Sequence, residues 1–155
     1  MMIRNEDVLA KLSQVELALH QLYRQFAKSF PADADFWRKL AEEELQHADC
    51  IDQLLALYKE NKISISSGNV STVAVDNLSK FIDATRERCA KGELSRINAF
   101  SLARDFETSV LSDKFCGLVN LADSHLQHTF GKMLSDTMTH KKLIVEILAR
   151  ARDQH

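Results

Sequence analysis

One proline and four glycines in 155 residues are too few helix breakers and turn formers for a fold built from many short strands. The three cysteines, Cys50, Cys89 and Cys116, are odd in number and widely separated, and no Cys-x-x-Cys occurs. Their pattern excludes a disulfide framework, a zinc ribbon and an iron-tetracysteine module, and it predicts reduced thiols in a reducing compartment. The net charge is only −2 and no dense Lys/Arg cluster stands in the sequence, so no nucleic acid partner is expected. Long hydrophobic runs are missing too: the longest, Leu143 to Ala149, is broken by Glu146, and the start turns acidic at once. Neither a signal peptide nor a membrane span is read there, and a soluble, cytoplasmic protein is the expectation.

What the chain has is a 45% apolar, 27% charged mixture rich in Ala, Leu, Glu, Lys and Arg, which predicts an all-α fold. Its length fits one domain spanning 1–155, large enough to bury roughly 70% of the surface of its unfolded form. A first helix is predicted over about 5–30, capped at Asn5 and stopped by Pro31, with Leu12, Val15, Leu19, Leu22, Phe26 and Phe30 at helical spacing. Trp37, Leu40, Ala41, Leu45, Ala48, Ile51, Leu55 and Tyr58 repeat that pattern over about 35–61, and so short a connection makes the pair antiparallel. Residues 62–94 read as a crossover, extended through 62–76, then a short helix capped by Asp76 and ended at Gly92. Ser95 caps a third long helix over 95–121 that turns Ile97, Phe100 and Ala103 inward, and a fourth covers 124–152. The sum is an antiparallel four-helix bundle with one long crossover connection.

Acids and imidazoles recur at matched spacing in the two halves. Glu16 lies 31 residues before His47 of Glu44-Leu45-Gln46-His47, and Glu107 lies 33 before His140. Glu16 and Glu107 fall in apolar stripes, where a charge must be neutralised, hydrogen-bonded or bound to a cation. Taken singly, each reads as a boundary residue whose head reaches water. Height changes that reading: at about 1.5 Å per residue, Glu16 and His47 lie roughly 24 Å either side of the first turn, and Glu107 and His140 sit level on the second hairpin. Oxygen and imidazole donors on rigid helices suit iron, manganese or zinc, and this set suits two ions best.

These residues resemble the ferritin-like di-iron carboxylate proteins, especially the rubrerythrin-like and bacterioferritin-like members, over the four long helices. The resemblance implies Glu16 and Glu107 as terminal metal ligands, Glu44 as a bridging carboxylate, His47 and His140 as paired imidazoles, and Tyr23 with its hydroxyl beside the metals. Thr137 stands where the family has its second bridging Glu, with Asp136 as a neighbouring substitute, and Val110 replaces an acid of the rubrerythrins. His20 is expected to hydrogen-bond Glu16, and Cys50 to be a small core residue. The implied activity is that of a non-haem di-iron oxidoreductase using two iron ions, with manganese or zinc as alternatives. Its oxidant is oxygen or peroxide, a separate partner donates electrons, and a homodimer is expected. Iron oxidation and storage, or a metal-depleted helical scaffold, are the competing readings.

Overall fold

A computed structural model describes residues 5–64, 71–110 and 124–153. Among these, the structure is wholly helical: α1 (Asn5–Ser29), a 3-10 turn (Pro31–Asp33), α2 (Ala34–Lys59), α3 (Thr72–Ala90), α4 (Arg96–Val110) and α5 (Ser124–Asp153). The predicted stretch of the third helix from 111 to 121 lies outside the described residues. No described helix is long and apolar enough to cross a membrane.

Local chemistry accounts for the helix ends. Pro31 follows the last turn of α1 and opens the 3-10 turn, where its missing N–H costs nothing. At the end of α2, Asn61 takes a positive φ of 59° and the Lys62 amide reaches back to the Leu57 carbonyl. Gly92 plays the same part after α3, with φ 75° and the Glu93 amide on the Arg88 carbonyl, satisfying carbonyls that the helix leaves open. Ser95 caps α4 by accepting from the Asn98 amide, and Asn98 returns the favour to the Ser95 amide.

Antiparallel packing of α1 on α2 is set by two contacts in opposite register: His20 to the Ala41 carbonyl and Ser13 to the Ala48 carbonyl. Helix α3 is longer than the short helix expected within the crossover. Ser71, not Asp76, is its cap, accepting from the Ala74 amide, and its start is held to α1 by Lys11–Asp76 at 2.5 Å. Val75, Ile82, Thr85 and Cys89 are its buried face. Of the stretch 62–76 that reads as extended, residues 65–70 lie outside the described residues and Thr72 onward is drawn into the helix, because a hydroxyl cap and an apolar stripe outweigh weak local propensity. Arg96 grips Asp33 through two bonds of 2.7 and 3.0 Å, fixing the start of α4 beside the turn between α1 and α2.

The core is aromatic where these elements meet. Trp37 is fully buried, with ring centroids of Tyr23, Phe26, Phe36 and Phe100 between 4.6 and 5.3 Å away, pairs worth about 0.5–1.5 kcal/mol each beyond area burial. Two predicted core residues are in fact more than a third exposed: Leu45 (38%) and Ile97 (39%). The inward stripe of α2 is Trp37, Leu40, Ala41, Glu44, His47, Ala48, Ile51 and Leu54. Leu45 follows Glu44 by one residue, a turn of about 100° that carries it off the face. An acid therefore occupies the interior position and a leucine the surface, the reverse of what burial energy alone favours.

Candidate metal centre

Four helices contribute to one polar pocket in this apolar interior. Glu16 comes from α1, Glu44 and His47 from α2, Glu107 from α4, and His140 from α5; each is no more than 3% exposed. They form two groups, Glu16/Glu44/His47 and Glu44/Glu107/His140, within each of which donor atoms lie within 4.8 Å of one another. Glu44 belongs to both. One of its oxygens is 3.4 Å from His47 Nδ1 and the other 3.0 Å from His140 Nδ1. The outer acids complete each half: Glu16 is 3.8 Å from His47 Nδ1, and Glu107 is 3.6 Å from His140 Nδ1. The two rings are nearly parallel, 6.0 Å between centroids and 23° between planes.

Despite this proximity, Glu16 Oε2, Glu44 Oε1, Glu107 Oε2 and both Nδ1 atoms have no aligned hydrogen-bond partner among the described residues. Leaving five buried polar atoms unsatisfied costs about 1–3 kcal/mol apiece, more where they are charged. All five belong to the same pocket, and oxygen with imidazole nitrogen is a donor set that iron, manganese and zinc accept. The residues present fit metal ions.

Around the pocket, the imidazoles are held from behind by partners supplied crosswise. His47 Nε2 donates to Asp136 Oδ2 of α5 at 3.2 Å, and His140 Nε2 donates to Glu43 of α2. A carboxylate on the outer nitrogen turns the inner one toward the pocket and raises its basicity. Tyr23 donates to Glu107 Oε1 at 2.7 Å. Thr137 is buried, but its hydroxyl donates to the Met133 carbonyl at 3.1 Å in its own helix and adds no charge to the pocket. Asp136 does not take the vacant carboxylate role, since it stands partly exposed behind His47 and also meets Lys132 at 3.2 Å. Beside Glu16, an apolar cavity of about 20 Å³ is walled by Leu12, Val15, Ile51, Val110 and Met133.

Protonation follows from the crowding. Burial pushes the Glu16 carboxyl well above the usual range, and the Glu44 carboxylate adds to the effect. Burial works against a charged His47, but the acids beside it, Glu16 and Glu44, raise it to about 10. The same opposition, with Glu107 and Glu44 prevailing, raises His140 to about 11. Burial and then the Glu107 charge push the Tyr23 phenol well up, so it stays a donor. Without a cation, protons hold these acids together, and a metal must displace them.

Two expectations for neighbouring residues need correcting. His20 bonds the Ala41 carbonyl at 2.6 Å and not Glu16, because its ring points across to α2 a turn away from the pocket. Cys50 is half-buried at a cleft with His47 and Asp136 rather than in the core. Glu43 was missed as the partner of His140: it adjoins Glu44 in a run of three acids, and only the register of α5 against α2 singles it out. Compared with models of known families, with curated proteins and with solved structures, the chain matches none.

Proposed function

We propose that this chain is a ferritin-like four-helix bundle, built from α1, α2, α4 and α5 with α3 as its crossover helix, that binds two iron ions and acts in redox chemistry with oxygen or peroxide. The observation that carries the proposal is Glu44: one buried carboxylate shared between two Glu/His groups, each of which turns oxygen and Nδ1 atoms into the pocket that find no aligned hydrogen-bond partner among the described residues. Glu16 and His47 would hold one ion and Glu107 and His140 the other, with Glu44 within reach of both groups. Iron, when bound, supplies the electrons that reduce the oxidant, and a separate donor restores them.

The chain's own residues orient and insulate. Asp136 and Glu43 fix the imidazoles, and Tyr23 holds Glu107 in place. Each of the five pocket residues is no more than 3% exposed, and the exclusion of bulk water strengthens every charge interaction inside. The apolar cavity at Glu16 has room for about one small molecule and no polar group other than that acid to hold water, which suits an uncharged oxidant. Three carboxylates leave one charge of two divalent ions uncancelled, the consequence of Thr137.

Metal analysis of protein produced in iron-supplemented medium tests the reading. About two iron per chain, falling sharply in a Glu44→Gln variant, is expected. Protein that holds no iron, or holds as much after the substitution, overturns it.

A further inference from the structure

Far from the acidic pocket, the structure gathers cations that the sequence scatters. Arg24 and Lys28 of α1, Arg38 of α2 and Arg86 of α3 line one open groove of about 500 Å³, together with Gln21 and Gln25. Lys/Arg residues are spread along the chain with no dense run, so this patch could not be read before the register of three helices was known. Between Glu16 and Asp33, helix α1 carries no acid at all, and Gln21, Arg24, Gln25 and Lys28 follow one another at helical spacing on a single face.

These cations are poorly neutralised. Arg38 has only a 3.3 Å surface contact with Asp35, whose side chain is fully exposed, a pair worth little in water. Arg24 and Lys28 are exposed, and their side chains make no ion pair or hydrogen bond with any described residue. Arg86 is half-buried, and its Nε has no acceptor among the described residues.

We propose that this groove binds a small molecule carrying several phosphoryl groups. Three guanidiniums present planar forks that match phosphate oxygens two at a time, with the lysine as an added point charge. Cations contributed by three helices are spread along an open groove of about 500 Å³, which is longer than one orthophosphate can span and favours a ligand with more than one phosphoryl group. The Gln21 amide lies along the same groove, where it can contact the uncharged part of such a ligand.

Calorimetric titration of the full chain, in chelator so that the Glu/His pocket takes no part, tests this with tripolyphosphate as the probe. Tripolyphosphate is expected to bind at least tenfold more tightly than orthophosphate. Arg24→Gln with Lys28→Gln should weaken it at least tenfold, as should Arg86→Gln, while Lys141→Gln with Lys142→Gln on α5 leaves it unchanged. The exposed pair, Arg24 and Lys28, can be replaced without touching the core, so a folding defect in the Arg86 variant does not decide the matter. Equal weakening by the α5 control, or equal affinity for orthophosphate, overturns the proposal. So does binding to vesicles containing phosphatidylserine without binding to tripolyphosphate, which would assign the charge to a lipid surface.

Discussion

Because Glu44 is shared, the three acids of the pocket should not be equivalent. Glu16→Gln removes a donor from one group and leaves Glu44, Glu107 and His140 intact, and Glu107→Gln does the converse. Glu44→Gln damages both groups at once while changing the side-chain volume hardly at all. With free metal at 100 times the dissociation constant, each bound ion stabilises the native state by about 2.7 kcal/mol. Two ions then contribute about 5 kcal/mol, which in a domain of this size raises Tm by roughly 10–20 °C. The assay is a pair of thermal melts for each protein, one with anaerobic ferrous or manganous ion and one with chelator. Only the difference within a pair is used, so any effect of a substitution on the metal-free fold cancels. The native chain should show the full difference, Glu16→Gln and Glu107→Gln about half, and Glu44→Gln close to none. A Glu44→Gln protein that keeps the full difference refutes the shared-carboxylate reasoning, as does a native chain that melts alike in both conditions.

Metal-free protein should lose stability as pH rises. His47 and His140 have folded values raised from about 6.5 to about 10 and 11, so their contribution is complete below pH 6.5 and fades as the pH climbs toward those values. Melting in chelator from pH 6.5 to 10 should therefore show a falling Tm, and the gain on adding metal should grow as protons cease to compete; a Tm that rises over this window contradicts the assignment. Replacing the outer carboxylates, Asp136→Asn or Glu43→Gln, should weaken metal binding by about 10–100-fold while leaving the helical circular dichroism unchanged, and unaltered metal affinity would show that neither group orients its histidine. Xenon under pressure should occupy the cavity beside Glu16 in crystals, and Val15→Phe should abolish that density; xenon found only elsewhere would show that this space is closed to small apolar molecules.

The helical class was legible because helix formers dominate and turn residues mark most of the boundaries: Pro31, Asn61, Gly92 and Ser95 all act at helix ends. The convergence of Glu16, Glu44, His47, Glu107 and His140 was legible for a geometric reason, since residues equally far from a hairpin turn must meet at one level. Start and length of α3 were not, because the β-branched Thr72, Val73 and Val75 favour extended chain locally, and their helicity comes from packing on α1 and from the Ser71 hydroxyl. Leu45 misled for a related reason. Hydrophobicity placed it inward, while the pocket claims that face for Glu44. The roles of Glu43 and Asp136 depend on how α5 slides against α2, and the basic groove depends on three helices at once; neither quantity is local to any stretch of chain.

The proposal of two ions in this pocket is tested most directly by anomalous scattering at the iron absorption edge, measured on crystals of protein grown with iron. Two peaks about 3.5–4 Å apart, one on each side of the Glu44 carboxylate, are the expected result. An iron-free pocket, or iron found only at exposed acids on the surface, would contradict it.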